Sequence, residues 1–417
     1  MSIGFHRGPD GGLRADGVAL SDLPNHFETP LYVLSASALD LAIAEWQAAL
    51  QPLQVQICPA IKSHDGLAVV NRYAEAGLGA DIVSRGELKR ARVAGVPADR
   101  IVYSGIGKRD DDLTAAIQAG IHQINVEAPF ELERIAHLAR REGRIQPIAL
   151  RVNPDVDAQT HDKIATGRAG DKFGIDWPDV PDLMRNALAL DGVRPVGLAC
   201  HIGSQLTSLA PFRTAWQRLR KLGEELNNQG LDLTRMDLGG GLGVRYTPED
   251  EPPPVAALAG VIADVFGDSL WELTVEPGRS LTASAGLLLT RVIGEKSGGG
   301  RRFVVVDGSM TELARPAMYD AWHPIEPVAD PGDAPTSLAD VVGPVCESGD
   351  VLGRERNLPN LKPGDLVAIR MAGAYGITMA SAYNARALPG EVMLEDGEAR
   401  ETRRRITADE LMTAERF

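Results

Sequence analysis

The sequence predicts a (β/α)8 TIM-type barrel followed by a C-terminal, mostly β barrel domain that also takes up the N-terminal segment. Three observations lead there. Apolar strand-like segments alternate with helix-patterned runs eight times over about 220 residues. Polar and glycine clusters follow the ends of those segments. After about residue 282 the pattern changes to strand-like segments with few helices between them.

The elements follow in order. The first 30 residues are polar and glycine-rich, and a short apolar segment covers 31–34. Ser35 and Ser37 can cap the Ala- and Leu-rich run 38–50, because a hydroxyl oxygen accepts from the free N–H groups of a first helical turn. The strands expected next are 55–58, 80–83, 101–103, 123–126, 147–152, 196–201, 235–238 and 272–275, with helices such as 87–94, 113–119 and 130–141 between them. Eight such units match a closed barrel better than a doubly wound sheet, and place the polar and glycine clusters at the C-terminal mouth, where active sites of barrels are built. The barrel is assigned to 36–281. Beyond it, 287–293, 302–306 and 365–370 read as strands, Ser297-Gly-Gly-Gly300 as a turn, and the Pro- and Asp-rich run 324–335 as a loop. Residues 1–35 and 282–417 are assigned to the β-barrel domain.

Charge excludes some partners. With 43 Lys+Arg against 57 Asp+Glu the net charge is −14, which disfavours nucleic acid and anionic membranes. Screening over about 8 Å still leaves individual arginines able to hold a small anion. The cysteines Cys58, Cys200 and Cys346 have no C-x-x-C spacing, so neither a disulfide framework nor structural zinc is expected. No closely spaced His pair indicates a metal, and no G-x-S-x-G elbow is present. With no apolar leader and no apolar run of membrane length, a cytoplasmic protein is the expectation.

Several strand ends carry chemistry. Lys62, just past the first barrel strand, can form a Schiff base if burial lowers its pKa, or be a solvated surface lysine. Gly239-Gly-Gly-Leu-Gly243 follows an apolar strand, and its N–H groups (Gly239, Gly240 and Gly241 first) can close on an anion. It lacks the Lys-Ser/Thr of a nucleotide-triphosphate loop. Glu276-Pro-Gly-Arg279 sets a carboxylate and a guanidinium at the mouth, suited to a pyridinium N–H and a carboxylate, or to each other. His201-Ile-Gly-Ser204 offers a flat ring and a hydroxyl. Cys346-Glu-Ser-Gly-Asp350 offers a thiol in polar surroundings, a candidate proton donor or an incidental thiol. Arg315-Pro-Ala-Met-Tyr319 and Gly373-Ala-Tyr-Gly376 add a cation and two phenols.

Taken together, these segments resemble the alanine-racemase-like (fold type III) pyridoxal-phosphate decarboxylases, most of all the branch acting on meso-diaminopimelate. The resemblance runs in order through Ala60-Ile-Lys62, Gly79-Ala-Asp-Ile-Val-Ser84, Ser104-Gly-Ile-Gly-Lys108, Arg151-Val-Asn-Pro154, Thr166-Gly167 with Lys172-Phe-Gly174, and His201-Ile-Gly-Ser-Gln205. It continues through the 239–243, 276–279, 315–319, 346–350 and 373–376 segments. It departs at Pro59 and His64, where the family usually has Tyr and Asn, and in 383–389, which lacks one Arg that many members carry.

The resemblance implies pyridoxal 5'-phosphate (PLP) as cofactor, held covalently by Lys62. Glu276 would pair with the ring nitrogen and His201 would stack on the ring. Ser204, Gly239, Gly240, Gly241, Gly278 and Arg279 would bind the phosphate, and Tyr375 would touch the cofactor. The small-molecule amino-acid substrate would lose CO2 at its D-centre to give L-lysine. Arg279, Arg315, Tyr319 and Tyr375 would face its distal end, Glu347 would hold the distal amine, and Cys346 would donate the proton. A head-to-tail homodimer with shared active sites would supply Cys346 and Glu347 from the partner chain. The alternatives the resemblance leaves open are a fold type III decarboxylase of carboxynorspermidine, ornithine, arginine or a tailored amino acid, a racemase, which Glu276 disfavours, and a non-catalytic PLP-binding homologue.

Overall fold

The computed structural model of the chain describes residues 4–156 and 172–416, so the Thr166-Gly167 motif lies outside the described residues. The chain forms two compact units. The barrel unit comprises Ile43–Val244 and Glu251–Ser280, and the β unit comprises Met1–Ala42, Arg245–Asp250 and Leu281–Phe417.

In the barrel unit eight strands run parallel: Gln56–Ile57, Ala80–Ile82, Ile101–Tyr103, Gln123–Val126, Gln146–Asn153, Val193–Ala199, Arg235–Asp237 and Glu272–Val275. Each of the eight segments expected from the sequence contains or overlaps one of them. The eighth pairs back to the first through Thr274 with Gln56 and Val275 with Ile57. Between first and second strands the ladder shrinks to one parallel bridge, Ala60 with Asp81, plus Gly79 N–H to Ile57 O (2.8 Å) and Asp81 N–H to Pro59 O (2.9 Å). That narrow seam places Lys62 and Asp81 on neighbouring strand ends.

Local sequence sets the helices that follow. Ser84 Oγ accepts from Glu87 N (3.1 Å), capping Arg85–Val93, while the Glu87 carboxylate accepts from Val83 N (2.7 Å). Asp110–Ala119 opens on Asp110, Asp111 and Asp112, whose charges suit the positive helix start, and stops at Gly120 with φ +68°. Pro129–Arg141 begins with a proline where no N–H is needed and buries Leu132, Ile135, Ala136, Leu138 and Ala139 on one face.

In the β unit the strand Leu31–Ser35 explains why both chain ends belong together. It pairs antiparallel with Gly286–Gly298 and parallel with Gly390–Glu395. Its alternation divides two cores: Leu31 and Val33 pack with Leu287, Leu289, Val392 and Leu394, whereas Tyr32 packs with Leu288, Val304, Val306 and Ile369. Ser35 Oγ accepts from Ala38 N (3.2 Å), so of the two serines it is Ser35 that caps the helix Ala36–Leu50.

Two details differ from the sequence reading. The strand Gly286–Gly298 runs through Ser297, and the turn is only Gly299-Gly300, both at positive φ (+58° and +77°), as a two-residue hairpin needs. The 324–335 run is not wholly loop: Ile325–Pro327 pairs antiparallel with Leu366–Ile369, which tolerates a proline at its end. Thr336–Val342, Val351–Pro359, Gly390–Glu395 and Glu398–Arg403 are further strands that the sequence pattern did not reveal.

Candidate active site

The barrel's first strand leads into the short turn Ile61–Ser63, which carries Lys62. Its ammonium pairs with the Oδ2 of Asp81, a fully buried carboxylate on the second strand. Asp81 Oδ1 is buried with no hydrogen-bond partner among the described residues. A half-satisfied buried carboxylate holds its cation firmly, because parting them leaves a charge in a low-dielectric surrounding.

Two more carboxyls complete the mouth. Asp237 ends the seventh strand and accepts from Asn125 Nδ2 (2.9 Å) and Gly239 N (3.1 Å). Asn125 also donates to Ser104 Oγ (3.1 Å), and Ser104 Oγ donates to Glu276 Oε1 (3.3 Å). Burial pushes Glu276 well above the usual carboxylate range, and Asp237 and Asp81 push the same way, while Lys62 and Arg151 pull against them. Burial likewise raises Asp237 to about 6. Three buried carboxyls sharing one lysine form a site in deficit of positive charge, which a ring N–H next to Glu276 would relieve.

The phosphate-sized part of the site is backbone. Gly239 and Gly241 lie at φ +66° and +120°. Space forbids side chains there as well: a Cβ on Gly240 would fall 2.1 Å from the Glu276 carbonyl oxygen, and one on Gly239 2.3 Å from that of Cys200. Gly240 N donates to His201 Nδ1 (3.2 Å), which leaves the imidazole neutral with its proton on Nε2. Burial holds His201 well below its usual pKa, and Arg151 and Lys62 add to this. A neutral flat ring is the form that can stack on an aromatic cofactor. Arg279, buried at the start of Arg279–Thr282, donates to Ser204 Oγ through Nη2 (3.0 Å) and Nε (3.3 Å). Gly278 sits close under the lysine turn, where a Cβ would meet Ser63 Cβ at 3.1 Å. An amine, a neutral ring, a buried carboxyl that a cationic ring N–H would hold ionised and a glycine turn therefore fit PLP.

The remaining candidates belong to the β unit. Arg315 is buried at the first turn of Arg315–Tyr319. Its Nη1 donates to His323 Nε2 (2.9 Å), and His323 Nδ1 donates to the Arg370 carbonyl (2.9 Å), a pairing that fixes a neutral tautomer. The guanidinium also lies 4.6 Å from the Tyr246 ring centroid, and His323 meets the same ring edge-on at 5.4 Å. Tyr319 closes the short helix. Cys346 and Glu347 are exposed: Asn384 Oδ1 accepts from Cys346 N (3.1 Å), and Tyr383 OH donates to Glu347 Oε1 (2.6 Å). Tyr375 adopts φ +55° beside Gly373, whose Cβ would lie 2.0 Å from the Thr282 carbonyl.

Lys62, His201, Ser204, Gly239, Gly240, Gly241, Glu276, Gly278 and Arg279 thus lie in the barrel unit, and Arg315, Tyr319, Cys346, Glu347 and Tyr375 in the β unit. Sequence reasoning placed Asp81 and Ser104 in motifs without giving them a role, and missed Asn125, Asp237 and the Tyr246 and His323 braces. The signal for Asp81 and Asp237 was a carboxylate inside an otherwise apolar strand; Tyr246 and His323 carried none.

A barrel mouth of this kind marks a PLP enzyme, and the comparisons agree. The family model described as the pyridoxal-binding domain of pyridoxal-dependent decarboxylases matches residues 37–283. Diaminopimelate decarboxylase of Pseudomonas aeruginosa is 44% identical over 408 residues, 97% of each chain. That of Neisseria meningitidis serogroup A is 44% identical over 403 residues, 97% of this chain and 98% of its own. The crystal structure of the M. jannaschii enzyme in complex with L-lysine superposes with a TM-score of 0.94 at 34% identity, covering 99% of this chain and 98% of that one. The chain belongs to the pyridoxal-dependent decarboxylases and, within them, to the diaminopimelate decarboxylase family.

Proposed function

We propose that the chain decarboxylates meso-2,6-diaminopimelate at its D-centre, giving L-lysine and CO2. The observation that carries this reading is 44% identity, over 97% of both chains, to a relative named for that activity. The second reading, a decarboxylase of another basic amino acid, is less favoured: the lysine/ornithine decarboxylase of Vibrio vulnificus is 25% identical with a TM-score of 0.78.

When bound, PLP supplies an electron sink for the pair left on carbon as CO2 departs. Lys62 holds the cofactor, and Asp81 keeps the amine oriented at the strand seam. Glu276 accepts from the ring nitrogen and keeps it protonated, helped by Ser104. His201 covers the ring face. Gly239, Gly240, Gly241, Gly278, Ser204 and Arg279 bind the phosphate, and Tyr375 contacts the cofactor. Arg279, Arg315, Tyr319 and Tyr375 face the distal end of the substrate. Planar guanidinium matches carboxylate better than ammonium would. Glu347 takes the distal amine, and the Cys346 thiol delivers a proton to the carbon that lost CO2. Cys346 and Glu347, exposed on their own chain, act in the site of a second copy in a head-to-tail homodimer. The setting is cytoplasmic; among the described residues no helix is long and apolar enough to cross a membrane.

Incubation with meso-diaminopimelate and PLP tests the reading: CO2 and L-lysine should appear in equal amounts. CO2 released only from ornithine, arginine or carboxynorspermidine would reject it.

A further inference from the structure

A second cation of the β unit is built differently from Arg315. Arg356 lies on the strand Val351–Pro359 and is 7% exposed. Its guanidinium stacks 4.0 Å from the centroid of Trp322. Its Nε is buried without a hydrogen-bond partner, and among the described residues no carboxylate pairs with it. Gly353 makes room for it, since a Cβ there would fall 2.6 Å from Nε. Arg356 lines a cavity of about 240 Å³ together with Trp322, Arg354, Pro316, Ala317 and Asp320. Arg354, exposed on the same strand, is a second cation on this wall, and Asp320 is the one acidic side chain among the lining residues.

Burying a guanidinium without a counter-ion costs several kcal/mol, so such a group is kept where something compensates it. Here stacking on indole compensates in part. The burial also pulls Arg356 down to about 10, with no nearby charge opposing the shift.

We propose that this cavity is a binding site for a small oxyanion, a carboxylate or a phosphate, separate from the groups assigned to substrate and cofactor. The volume suits a ligand of a few non-hydrogen atoms. Arg356 donates to it from the floor, Trp322 fixes the plane of the guanidinium, and Arg354 adds charge at the rim. Asp320 disfavours a ligand large enough to reach it. The site is independent of the proposed reaction, although Pro316 and Ala317 sit on the helix that carries Arg315 and Tyr319.

The test is calorimetric titration of the holoenzyme with inorganic phosphate and, separately, with succinate, at constant ionic strength. Saturable binding is expected for at least one, and the arm that binds identifies the source as phosphate or carboxylate. Arg356→Met should weaken it by about tenfold or more. Removing a buried guanidinium can unfold the unit, so Ala317→Glu is the second variant: it sets a carboxylate at an exposed helix position on the cavity wall and should abolish binding. Arg315→Met should leave the affinity unchanged. No saturable binding of either anion overturns the proposal. So does unchanged affinity in both Arg356→Met and Ala317→Glu, or loss of binding in Arg315→Met, which would assign the anion to the substrate residues.

Discussion

The two units hold their candidate residues in opposite ways. In the barrel unit an ion pair joins Lys62 to Asp81, buried hydrogen bonds join Asp237 to Glu276 through Asn125 and Ser104, and burial pushes both Asp237 and Glu276 up from the usual carboxylate range. In the β unit the pair closest to the proposed proton transfer, Cys346 and Glu347, is exposed on a loop. Only Arg315 there is buried and braced. The lesson is one of division. A cofactor that stays bound can be met by a preorganised, water-poor site. Cys346 and Glu347, proposed to act in the site of a second copy, are accessible on their own chain.

The most severe way to break this contrast is Lys62→Ala. The holoenzyme's visible cofactor band should vanish and lysine formation with it; a surviving band would remove Lys62 from the role given to it. Next in size is Cys346→Ala, expected to lower kcat by about 10²-fold or more while leaving the cofactor band intact. Unchanged kcat would leave the thiol without a part in the reaction. The contrast also predicts selective chemistry. Burial pushes the Cys58 and Cys200 thiols up, so a thiol reagent should modify Cys346 first.

A milder change tests the braced arginine. His323 accepts from Arg315 and so acts as a positioning residue rather than a substrate contact. His323→Ala should raise KM for the substrate by about tenfold with kcat nearly kept, and His323→Gln, which retains an acceptor, should recover part of the loss. Equal falls in kcat for both variants would mean that the histidine does something other than orient Arg315.

The contrast follows what the sequence made legible. Barrel strands were readable because each is a short apolar run ending in polar or glycine residues, so the mouth could be mapped from the ends alone. The β-unit strands Thr336–Val342 and Val351–Pro359 were not, because they are half exposed and interrupted by Asp340, Arg354 and Arg356. Among site residues, Lys62 and Glu276 stood at strand ends with distinctive neighbours. Asn125 did not, since nothing local shows that it bonds to Asp237, 112 residues away. Tyr246 was invisible for the same reason: the segment 245–250 interrupts the barrel sequence yet packs in the β unit.

The last expected effect is on stability rather than turnover, and it bears on the electrostatic half of the comparison. Asp237 in the folded, cofactor-free chain keeps its proton up to about pH 6, whereas its ordinary value is 3.8. Between those values the folded state holds a proton that the unfolded chain has released. The group's contribution to stability is therefore present at low pH and is lost as pH rises through about 6, by something on the order of 3 kcal/mol. His122, depressed to about 4, drifts the opposite way over nearly the same range, and Glu87, raised to about 7, drifts the same way as Asp237, so a stability curve of the parent protein alone does not isolate the effect. Asp237→Asn separates them. The variant loses part of the hydrogen bonding to Asn125 and Gly239 at every pH, a constant offset. It has no carboxyl to ionise, so in denaturant titrations of cofactor-free protein its stability relative to the parent should climb between pH 4 and pH 7. Parallel curves would mean that Asp237 ionises freely in the fold. The barrel mouth would then not be short of positive charge, and the reason given for its affinity for a ring N–H beside Glu276 would fall with it.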